Sequence, residues 1–452
     1  MQKFIAKSSE LFDRFDPKYV AFKRRVANFR YPSVKMGSLL SEPPEYGAGE
    51  AGIERLNDTT PRYIRITDID ENGELLPGLG MTAANVEPQY FLRDGDLLFA
   101  RSGNTVGKSY LHESERVSYP CFYAGYMIRF RFGEKVLPKY VFAFAQTPYY
   151  HEWVSAIQRS AGQPNINAQE YRSLEIPLPP LSEQRKIVAE LDAAYAEKRA
   201  ADEKATKLLA SIDEMVLKEL GIANLPKPDT SLSSRIFTVP AREVANATLA
   251  PDHYFDSIDF SKAKYPCERF IERIDIDPSC GFERITKLVP MEGVSAEWCA
   301  IESIEDISPD ATQGYSTFRG GDVIWARITP CMENGKSAVV EAEPSECFCG
   351  STEFLVFRPK DDKVNPYYLQ SLLHLERFRE VAAHHFTGTS GHQRVTADFF
   401  KAISIPIPPR SVQDRIASTA SSIRAEARKL KADATAALDT AKRRIEKSVE
   451  KQ

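Results

Sequence analysis

Two hydrophobic periodicities alternate along the chain, and together they predict an α+β fold. Apolar and polar residues alternate with period two in 61–69, and 96–100 and 125–132 have the apolar and aromatic composition of strands. Helical spacing follows at 138–157 and again at 366–383. A double proline then ends each region, because proline interrupts both strand ladders and helix interiors. The pattern therefore predicts a mixed or antiparallel sheet with helices in each half of the chain.

A different pattern, at 181–221 and 410–452, predicts two long helices. Apolar residues or alanines recur every three or four positions through both segments. Sustained spacing of this kind is typical of a coiled-coil seam, and alanine allows helix axes to approach closely. Residues 181–220 hold seven basic and nine acidic groups, whereas 412–451 hold ten and six, so net charges of −2 and +4 favour pairing of the helices. The alternative is that each helix covers only the core of its own domain.

The sequence repeats itself with a period of about half the chain. Three segments recur in the same order, at offsets of 226, 228 and 229 residues: 94–101 and 320–327, 107–109 and 335–337, and 176–180 and 405–409. Between these markers the two halves differ widely, which predicts one scaffold that is built twice and carries two different surfaces. The predicted domains are 1–180 and 241–409, with a first long helix at 181–221, a linker at 222–240 and a second long helix at 410–452.

Composition and charge narrow the class of protein. The chain has 452 residues, of which 42% are hydrophobic, and its 59 basic and 63 acidic groups give a net charge of −4. These values exclude collagen-like, disordered and membrane classes, and they argue against a protein that wraps DNA by bulk positive charge. Because no signal peptide or membrane-spanning stretch is evident, we expect a soluble cytoplasmic protein.

The residues that a catalytic or metal site would require are missing. The seven cysteines are irregularly spaced, so neither a disulfide framework nor a zinc site is expected. The segment 103–109 has three residues between its glycines, where a phosphate-binding loop has four. Asn365-Pro366-Tyr367-Tyr368 resembles only faintly the loop with which adenine methyltransferases hold a flipped base, and a proline at a helix start explains it better. We expect no catalytic residue, metal or cofactor in this chain.

The combination of features resembles the specificity subunit of a Type I restriction-modification system, over nearly the whole chain. The shared features are an opening segment such as 16–19, a Gly-Asp-hydrophobic-Ala-Arg strand, a Gly-Lys turn, and Ile-Pro-Leu-Pro-Pro before a long helix with Gln184 or Gln413. The resemblance implies two target-recognition domains separated by two long antiparallel coiled-coil helices. It also implies a non-catalytic reader of a bipartite, asymmetric DNA target, in which each domain reads one half and the helices fix the unread gap.

The same resemblance implies partner chains that supply the chemistry. Two modification subunits, which bind S-adenosylmethionine and methylate adenine, would dock along the helices. Restriction subunits with motor and nuclease activities, which use ATP and Mg²⁺, would join them on double-stranded DNA. Exposed charged residues of the helices, such as Glu183 and Lys186 or Arg424 and Arg428, are candidate docking positions.

The candidate DNA contacts lie in segments that occupy matching places in the two halves. They are Arg101, Asn104, Lys108, Gln163 and Asn165 in the first half, and Arg327, Asn334, Lys336, His392, Gln393 and Arg394 in the second. Arginine can bind guanine through two hydrogen bonds, asparagine can bind adenine, and lysine can neutralise a phosphate. The alternative for Arg101 and Arg327 is an internal ion pair that supports the sheet. The loops 163–167 and 392–394 differ in side chains, as reading of two half-sites requires, but loops also diverge without function.

Two other functions stay open at this point. The first is a standalone adenine methyltransferase or nuclease with its own recognition module, against which the missing motifs argue. The second is a coiled-coil scaffold with two protein-binding heads. Methylation by the chain alone would indicate the first, and DNA footprinting separates the second from a DNA reader.

Overall fold

A computed structural model describes most of the chain. The described residues are 17–26, 28–158, 164–223, 225, 227, 236, 238–240, 258–280, 285–389 and 393–451. The predicted contacts Gln163 and His392 therefore lie outside the described residues. The same holds for most of the predicted linker 222–240 and for the beginning of the predicted second domain, 241–257.

The chain folds into two compact units. Unit 1 is Met1–Ala200 together with Ala432–Gln452, and unit 2 is Ala201–Lys431. Two helices of 40 residues each, Leu181–Leu220 and Arg410–Val449, contribute to both units. At about 1.5 Å per residue, each helix is about 60 Å long. Each unit therefore combines a globular part with one segment of each long helix.

Unit 1 has two four-stranded sheets among its described residues. Its strands are β1 (Ser33–Lys35), β2 (Glu45–Tyr46), β3 (Gly52–Glu54), β4 (Arg62–Ile64), β5 (Met81–Ala83), β6 (Leu97–Ala100), β7 (Ser109–Leu111), β8 (Cys121–Tyr123), β9 (Met127–Phe130) and β10 (Glu175–Pro177). Its helices are α1 (Pro17–Val26), α2 (Pro138–Phe144), α3 (Pro148–Ile157), α4 (Ala168–Arg172) and the first segment of α5 (Leu181–Leu220). One sheet has the antiparallel order β2-β9-β6-β7, and the other, β3-β5-β4-β8, contains the parallel pair β4·β8.

Unit 2 is built in the same way. Its strands are β11 (Cys267–Arg269), β12 (Ile274–Ile276), β13 (Lys287–Val289), β14 (Val294–Ser295), β15 (Ala300–Ile301), β16 (Glu305–Asp306), β17 (Ser316–Arg319), β18 (Val323–Ala326), β19 (Ser337–Val339), β20 (Cys347–Gly350), β21 (Phe354–Pro359), β22 (Phe386–Thr387), β23 (Arg394–Val395) and β24 (Ser404–Pro406). Its helices are α6 (Phe270–Arg273), α7 (Pro366–His374), α8 (Glu376–His384), α9 (Ala397–Ala402) and the first segment of α10 (Arg410–Val449). Its four-stranded sheets have the orders β12-β21-β18-β19 and β16-β13-β20-β17.

The two topologies match element by element. The antiparallel sheet around β6 and β9 corresponds to the one around β18 and β21, and the parallel pair β4·β8 corresponds to β13·β20. In both units the strand that contains the Ile-Pro motif pairs with an early strand, with Pro177 opposite Ser33 and Pro406 opposite Cys267. The predicted α+β fold with one scaffold built twice is confirmed.

Some local predictions differ from the structure. The strand predicted at 61–69 is only the three-residue β4, because a 3₁₀ turn at Ile66–Asp68 follows it. The helix predicted at 138–157 is instead α2 and α3, since Pro148 begins a new helix. The helix predicted at 366–383 is similarly divided into α7 and α8.

The long helices pack on each other and also complete the core of each unit. In unit 1 the main apolar cluster contains Leu191 of α5 and Leu438 of α10 together with strand residues such as Phe99. In unit 2 it contains Val216 of α5 and Ile416 of α10. The expected pairing of the helices is therefore confirmed, and the alternative role of covering a domain core applies as well.

In each unit, one ion pair joins the early part of one long helix to the late part of the other, as the expected antiparallel arrangement requires. In unit 1 an early residue of α5, Glu190, lies 4.0 Å from a late residue of α10, Arg444. In unit 2 a late residue of α5, Glu219, lies 2.6 Å from an early residue of α10, Arg415. Exposed pairs of this kind contribute little to stability, so the apolar contacts hold the segments together and the charges favour one direction.

A buried glutamine explains why the same motif precedes both long helices. Gln184 and Gln413 are both fully buried. The Gln413 side-chain carbonyl accepts the N–H of Asn365 at 2.8 Å, and its amide donates to the C=O of Pro408 at 2.8 Å. The Gln184 carbonyl likewise accepts the N–H of Leu137 at 2.9 Å. Each glutamine therefore ties the double proline to the loop that leads into α2 or α7.

One pair of cysteines is bonded, although the spacing gave no reason to expect a disulfide. Cys280 and Cys347 form a disulfide whose Cα atoms are 6.4 Å apart. The free thiols are Cys121, Cys267, Cys299, Cys331 and Cys349. The bonded pair is separated by 67 residues in the sequence: Cys280 follows β12 of one four-stranded sheet, and Cys347 begins β20 of the other. Residue spacing alone does not reveal such a pair.

Candidate nucleic-acid interface

Three separate segments of unit 1 meet at Arg101, the residue that follows β6. The Arg101 N–H donates to the C=O of Tyr126 at 2.9 Å, and its C=O accepts the N–H of Ile166 at 2.8 Å. Ser102 pairs with Asn165 in an isolated antiparallel bridge. The structure therefore brings two predicted contacts, Arg101 and Asn165, to one place. We call the site formed by Arg101, Tyr126 and Asn165 the unit 1 junction.

The equivalent backbone contacts occur in unit 2. The Arg327 N–H donates to the C=O of Glu353 at 2.9 Å, and its C=O accepts the N–H of Val395 at 2.9 Å. Ile328 pairs with Arg394 in an isolated antiparallel bridge. We call the site formed by Arg327, Glu353 and Arg394 the unit 2 junction. Because the backbone bonds match, each residue of one junction has a structural equivalent in the other.

The side chains of the unit 1 junction are cationic and aromatic. The Arg101 guanidinium lies over the ring of Tyr46, 4.8 Å from its centre, and the Arg101 Nε has no hydrogen-bond partner in the part of the chain that the structure describes. Tyr126 is 68% exposed, and Asn165 is also exposed. Among the described residues no carboxylate pairs with Arg101, so the cation–π contact takes the place of the internal ion pair that was the alternative.

The unit 2 junction is instead organised around a carboxylate. Arg394 donates to Glu353 through Nε at 2.8 and 2.9 Å and through Nη2 at 2.6 Å. The Nε of Arg327 lies 3.9 Å from the same carboxylate, so the internal ion pair considered as an alternative is present here in a loose form. The hydrogen bonds to Glu353 raise the pKa of Arg394, and the guanidinium stays charged at every physiological pH. Two arginines and one glutamate leave the junction with a formal charge of +1.

The recurring lysines have an internal partner in both units. The Lys108 amino group donates to the C=O of Ile69, and that of Lys336 donates to the C=O of Met291, each at 2.8 Å. These contacts give the Gly-Lys turns a structural role. An ammonium group has three donors, so a phosphate contact is compatible with this bond. Phosphate binding by the two lysines stays a prediction.

Close packing explains the glycine that precedes each lysine. Gly107 has a φ of +91°, and a Cβ there would come within 2.7 Å of the Val154 side chain. Gly335 has a φ of +84°, and a Cβ there would come within 2.7 Å of the His374 ring. Any other residue would therefore be strained in its backbone and would also clash.

The remaining predicted contacts lie around the junctions. Asn104 and Asn334 are exposed on the turns that carry the lysines. Gln393 is half-buried, and its C=O accepts the N–H of Thr329 at 3.1 Å. Base or phosphate contact by these side chains stays a prediction.

Sequence reasoning missed three residues of this surface, namely Tyr46, Tyr126 and Glu353. Tyr126 and Glu353 each precede a strand that recurs in the repeat, so aligning the two halves would have exposed them as a divergent pair. Tyr46 has no counterpart in the recurring markers, and its contact with Arg101 depends on the pairing of β2 with β9.

Two negative findings apply to the described residues alone. Within them, no group of three or more His, Cys, Asp or Glu side chains is arranged to hold a metal ion. Over the same ranges, no helix combines the length and the apolar character that a membrane crossing requires.

Comparison with known proteins gives one family. The family model of the Type I restriction modification DNA specificity domain matches twice, at residues 63–207 and 292–437. Each match contains one junction.

Individual relatives agree with the family match. The Type I restriction enzyme EcoAI specificity subunit of Escherichia coli is 33% identical over 135 residues, which are 30% of this chain and 23% of that protein. The EcoEI specificity subunit of the same species is 32% identical over 114 residues, which are 25% of this chain and 19% of that protein. The matched segments thus span less than a quarter of the length of these relatives. One solved structure comes from work on complex assembly and conformational transition of the type I R-M system. Its match to this chain covers 92% of this chain and 95% of that one, with 18% sequence identity and a TM-score of 0.46.

Proposed function

Because the chain belongs to the family of Type I restriction modification DNA specificity domains, we propose that it is the DNA-reading specificity subunit of a Type I restriction-modification complex. In this proposal it reads a bipartite, asymmetric target, with one unit for each half-site. The matched segments cover more than half of the chain, and each lies mostly in a different unit.

One observation carries the proposal. The two junctions share their backbone hydrogen bonds and differ in their side chains, with tyrosine beside arginine in unit 1 and glutamate beside two arginines in unit 2. Exposed polar groups at matching positions can also diverge without function, so this variation supports the proposal and the methylation map below tests it. Two different half-sites require that variation, because each base pair presents its own pattern of donors and acceptors in the major groove.

We also propose the division of labour within the complex. This chain would bind double-stranded DNA and dock modification subunits, two in number, and restriction subunits, all in the cytoplasm. Catalysis would belong to those partners, together with S-adenosylmethionine, ATP and Mg²⁺. The incomplete phosphate-binding loop at 103–109 supports a non-catalytic role for this chain.

For DNA contact we propose the two junctions and the turns beside them. In unit 1, Arg101 and Asn165 would contact bases, and Asn104 and Lys108 would contact the backbone or an adjacent base. In unit 2 the corresponding roles would fall to Arg327, Arg394, Asn334 and Lys336, with Gln393 nearby. The exposure of Asn104, Asn165 and Asn334 and the net positive charge of each junction support this assignment.

The proposal is tested by co-expressing the chain with a modification subunit in cells that lack other adenine methylation. Mapping of methylated adenine over the genome should return one motif made of two specified segments and an unspecified gap. A motif without a gap would contradict reading by two units. As a control, the modification subunit expressed alone should give no such motif.

The standalone enzyme is the competing function. Purified chain incubated with DNA and S-adenosylmethionine alone should transfer no methyl group, and methylation there would overturn the proposed division of labour. In a footprint of the complex we expect two protected patches separated by an open gap, whereas a protein-binding scaffold would leave the DNA unprotected.

A further inference from the structure

The position occupied by Tyr126 in unit 1 and Glu353 in unit 2 is the place where the two junctions differ most in chemistry. Both residues offer their C=O to the N–H of the arginine that follows the central strand, at 2.9 Å in each unit. Both directly precede the neighbouring strand, β9 or β21. Their Cα positions are therefore equivalent relative to Arg101 and Arg327, and only the side chain changes.

In unit 2 the carboxylate fixes the direction of an arginine fork. Glu353 accepts three hydrogen bonds from Arg394 and lies 3.9 Å from Arg327. A guanidinium held by a carboxylate is restricted to one orientation, and a fixed fork is what recognition of a guanine edge by two hydrogen bonds requires. The pair is partly exposed, with side-chain exposures of 33% for Arg394 and 20% for Glu353. At that exposure it contributes little to folding, so orientation is its main effect.

In unit 1 the equivalent place holds an exposed phenol. Tyr126 is 68% exposed, and Arg101 lies over Tyr46 rather than against a carboxylate. An exposed tyrosine offers an aromatic face and a hydroxyl that both donates and accepts hydrogen bonds. The residue equivalent to Arg394 is Asn165, whose amide suits adenine. Unit 1 thus presents neutral hydrogen-bonding groups where unit 2 presents an oriented cation.

We propose that this equivalent position determines which half-site each unit accepts, with Glu353 positioning Arg394 in unit 2 and Tyr126 contacting DNA directly in unit 1. The inference rests on the proposed function. The inference extends that function in two ways. It names one position that sets the difference between the half-sites, and it assigns unit 2 a half-site that contains guanine.

The test uses the complex with the modification subunit and maps methylated adenine for three chains. They are the wild type, Glu353→Gln, and the control Glu343→Gln, which removes an exposed carboxylate of the same unit away from the junction. In Glu353→Gln we expect one half of the motif to lose discrimination at a G·C pair by roughly 10-fold, with the other half unchanged. The Glu343→Gln complex should keep the wild-type motif.

A matching variant addresses unit 1. Tyr126→Ala should reduce base discrimination in the half of the motif that Glu353→Gln leaves unchanged. If either variant altered both halves, or if both variants kept full discrimination in both, the position would not determine specificity and the proposal would be overturned.

Two further readouts separate the explanations for a negative result. Arg394→Lys keeps the charge but loses the fork, so it should reduce discrimination at the same base pair as Glu353→Gln. If the Glu353→Gln chain does not fold, Arg394→Lys tests the positioning role in its place. Retention of full discrimination by Arg394→Lys would refute the positioning role. Absence of any two-part motif for the wild-type complex would instead contradict the proposed function itself.

Discussion

Lys108 and Arg101 lie close together in the sequence, yet their charges have different surroundings. The Lys108 ammonium donates to the C=O of Ile69, whereas the Arg101 guanidinium lies over Tyr46 with an unbonded Nε among the described residues. A phosphate contact carries no sequence information, but a base contact does. The roles of the two residues can therefore be distinguished by how substitution of each one changes DNA affinity on different sequences and at different salt concentrations.

We expect Lys108→Gln to weaken binding of the complex to every DNA sequence alike. Glutamine retains a donor for the Ile69 carbonyl but loses the charge, so the slope of log affinity against log salt should become shallower by about 0.9. Arg101→Gln should weaken binding only to DNA that contains the half-site read by unit 1, because a base contact depends on the sequence. Titrations of fluorescent duplexes at several salt concentrations measure both effects. An identical loss on all sequences for the two variants would contradict the assignment.

The sequence identified the recurring arginines and the loop residues Asn165 and Arg394 as junction residues, but it missed Tyr126 and Glu353. Arg101, Lys108 and their counterparts stand beside repeated motifs, so pattern reasoning finds them. Glu353 and Tyr46 act through pairings between distant strands, and no local spacing encodes such a contact. The internal partners of the lysines were equally hidden, because backbone carbonyls have no sequence signature.

His374, at the end of α7, is held in its neutral form. Its Nδ1 lies 3.2 Å from the C=O of Gly335 and 3.4 Å from the Cys299 sulfur. Burial, assisted by the charges of Arg424 and Arg379, lowers the pKa of His374 from 6.5 to about 3. Protonation of this ring is therefore coupled to the stability of unit 2.

Unit 2 should lose stability as the pH falls from about 6.5 toward 3. Below pH 6.5 the unfolded chain binds a proton at His374 that the folded chain does not bind, so acid favours unfolding. At pH 5 the loss from this group would be about 2 kcal/mol relative to pH 7, as measured by urea unfolding. His374→Asn, which keeps a donor for the Gly335 carbonyl, should show a smaller loss. The same pH dependence in both proteins would exclude His374 as its source.

The helices were easier to predict than the segments that anchor them. The spacing of apolar residues located α5 and α10, since 40 residues of regular pattern outweigh any local exception. The pattern over 138–157 did not reveal the break before Pro148, because both helices there bury an apolar face. Anchoring segments have no periodicity, and their partners lie on a different element.

One anchoring segment of unit 2 lies against α10. The Trp298 ring has the Arg428 guanidinium 5.8 Å and the Lys431 ammonium 5.7 Å from its centre. Glu302 pairs with Arg428 at 2.9 Å, and Glu297 pairs with Lys431. Aromatic and ionic contacts therefore tie the segment 297–302 to the long helix within this unit.

Unit 1 has a comparable anchoring turn with different residues. The Tyr195 hydroxyl of α5 donates to the C=O of Asn72 at 2.5 Å. The Lys442 ammonium of α10 donates to the side-chain oxygen of Asn72 at 2.7 Å. Glu74 of the same turn pairs with Arg199 at 2.7 Å. In both units the globular part is thus fixed to the helices at a second place besides the double proline.

We expect Trp298→Ala to loosen the unit 2 anchor without unfolding the sheets. Loss of two cation–π contacts should cost about 1–2 kcal/mol of local stability. Hydrogen exchange should accelerate in 297–302, while the amides of β18 stay protected. Tyr315→Ala, which removes a ring of the same unit that is 39% exposed, is the control and should leave this segment unchanged. Uniform acceleration across unit 2 would show that Trp298 supports the whole core instead.

The chain builds unit 1 from residues that are far apart in the sequence. Residues of α10 after Ala432 are buried with the first globular part, including Leu438, Ile445 and Val449. Unit 1 consequently reaches its full core only when the last long helix has formed and packed. The repeat alone did not predict this sharing, because the two copies look self-contained when their sequences are aligned.

Leu438→Ala should therefore destabilise unit 1 and spare unit 2. Leu438 is fully buried, and truncation of a buried leucine costs about 2–5 kcal/mol. Hydrogen exchange should accelerate in β6, although this strand lies far from Leu438 in the sequence, whereas β18 should exchange as in the wild type. Lys447→Ala, an exposed change on the same helix, serves as the control. If β6 and β18 responded equally, the two units would unfold as one cooperative body, and if neither responded, the end of α10 would be dispensable for the first core.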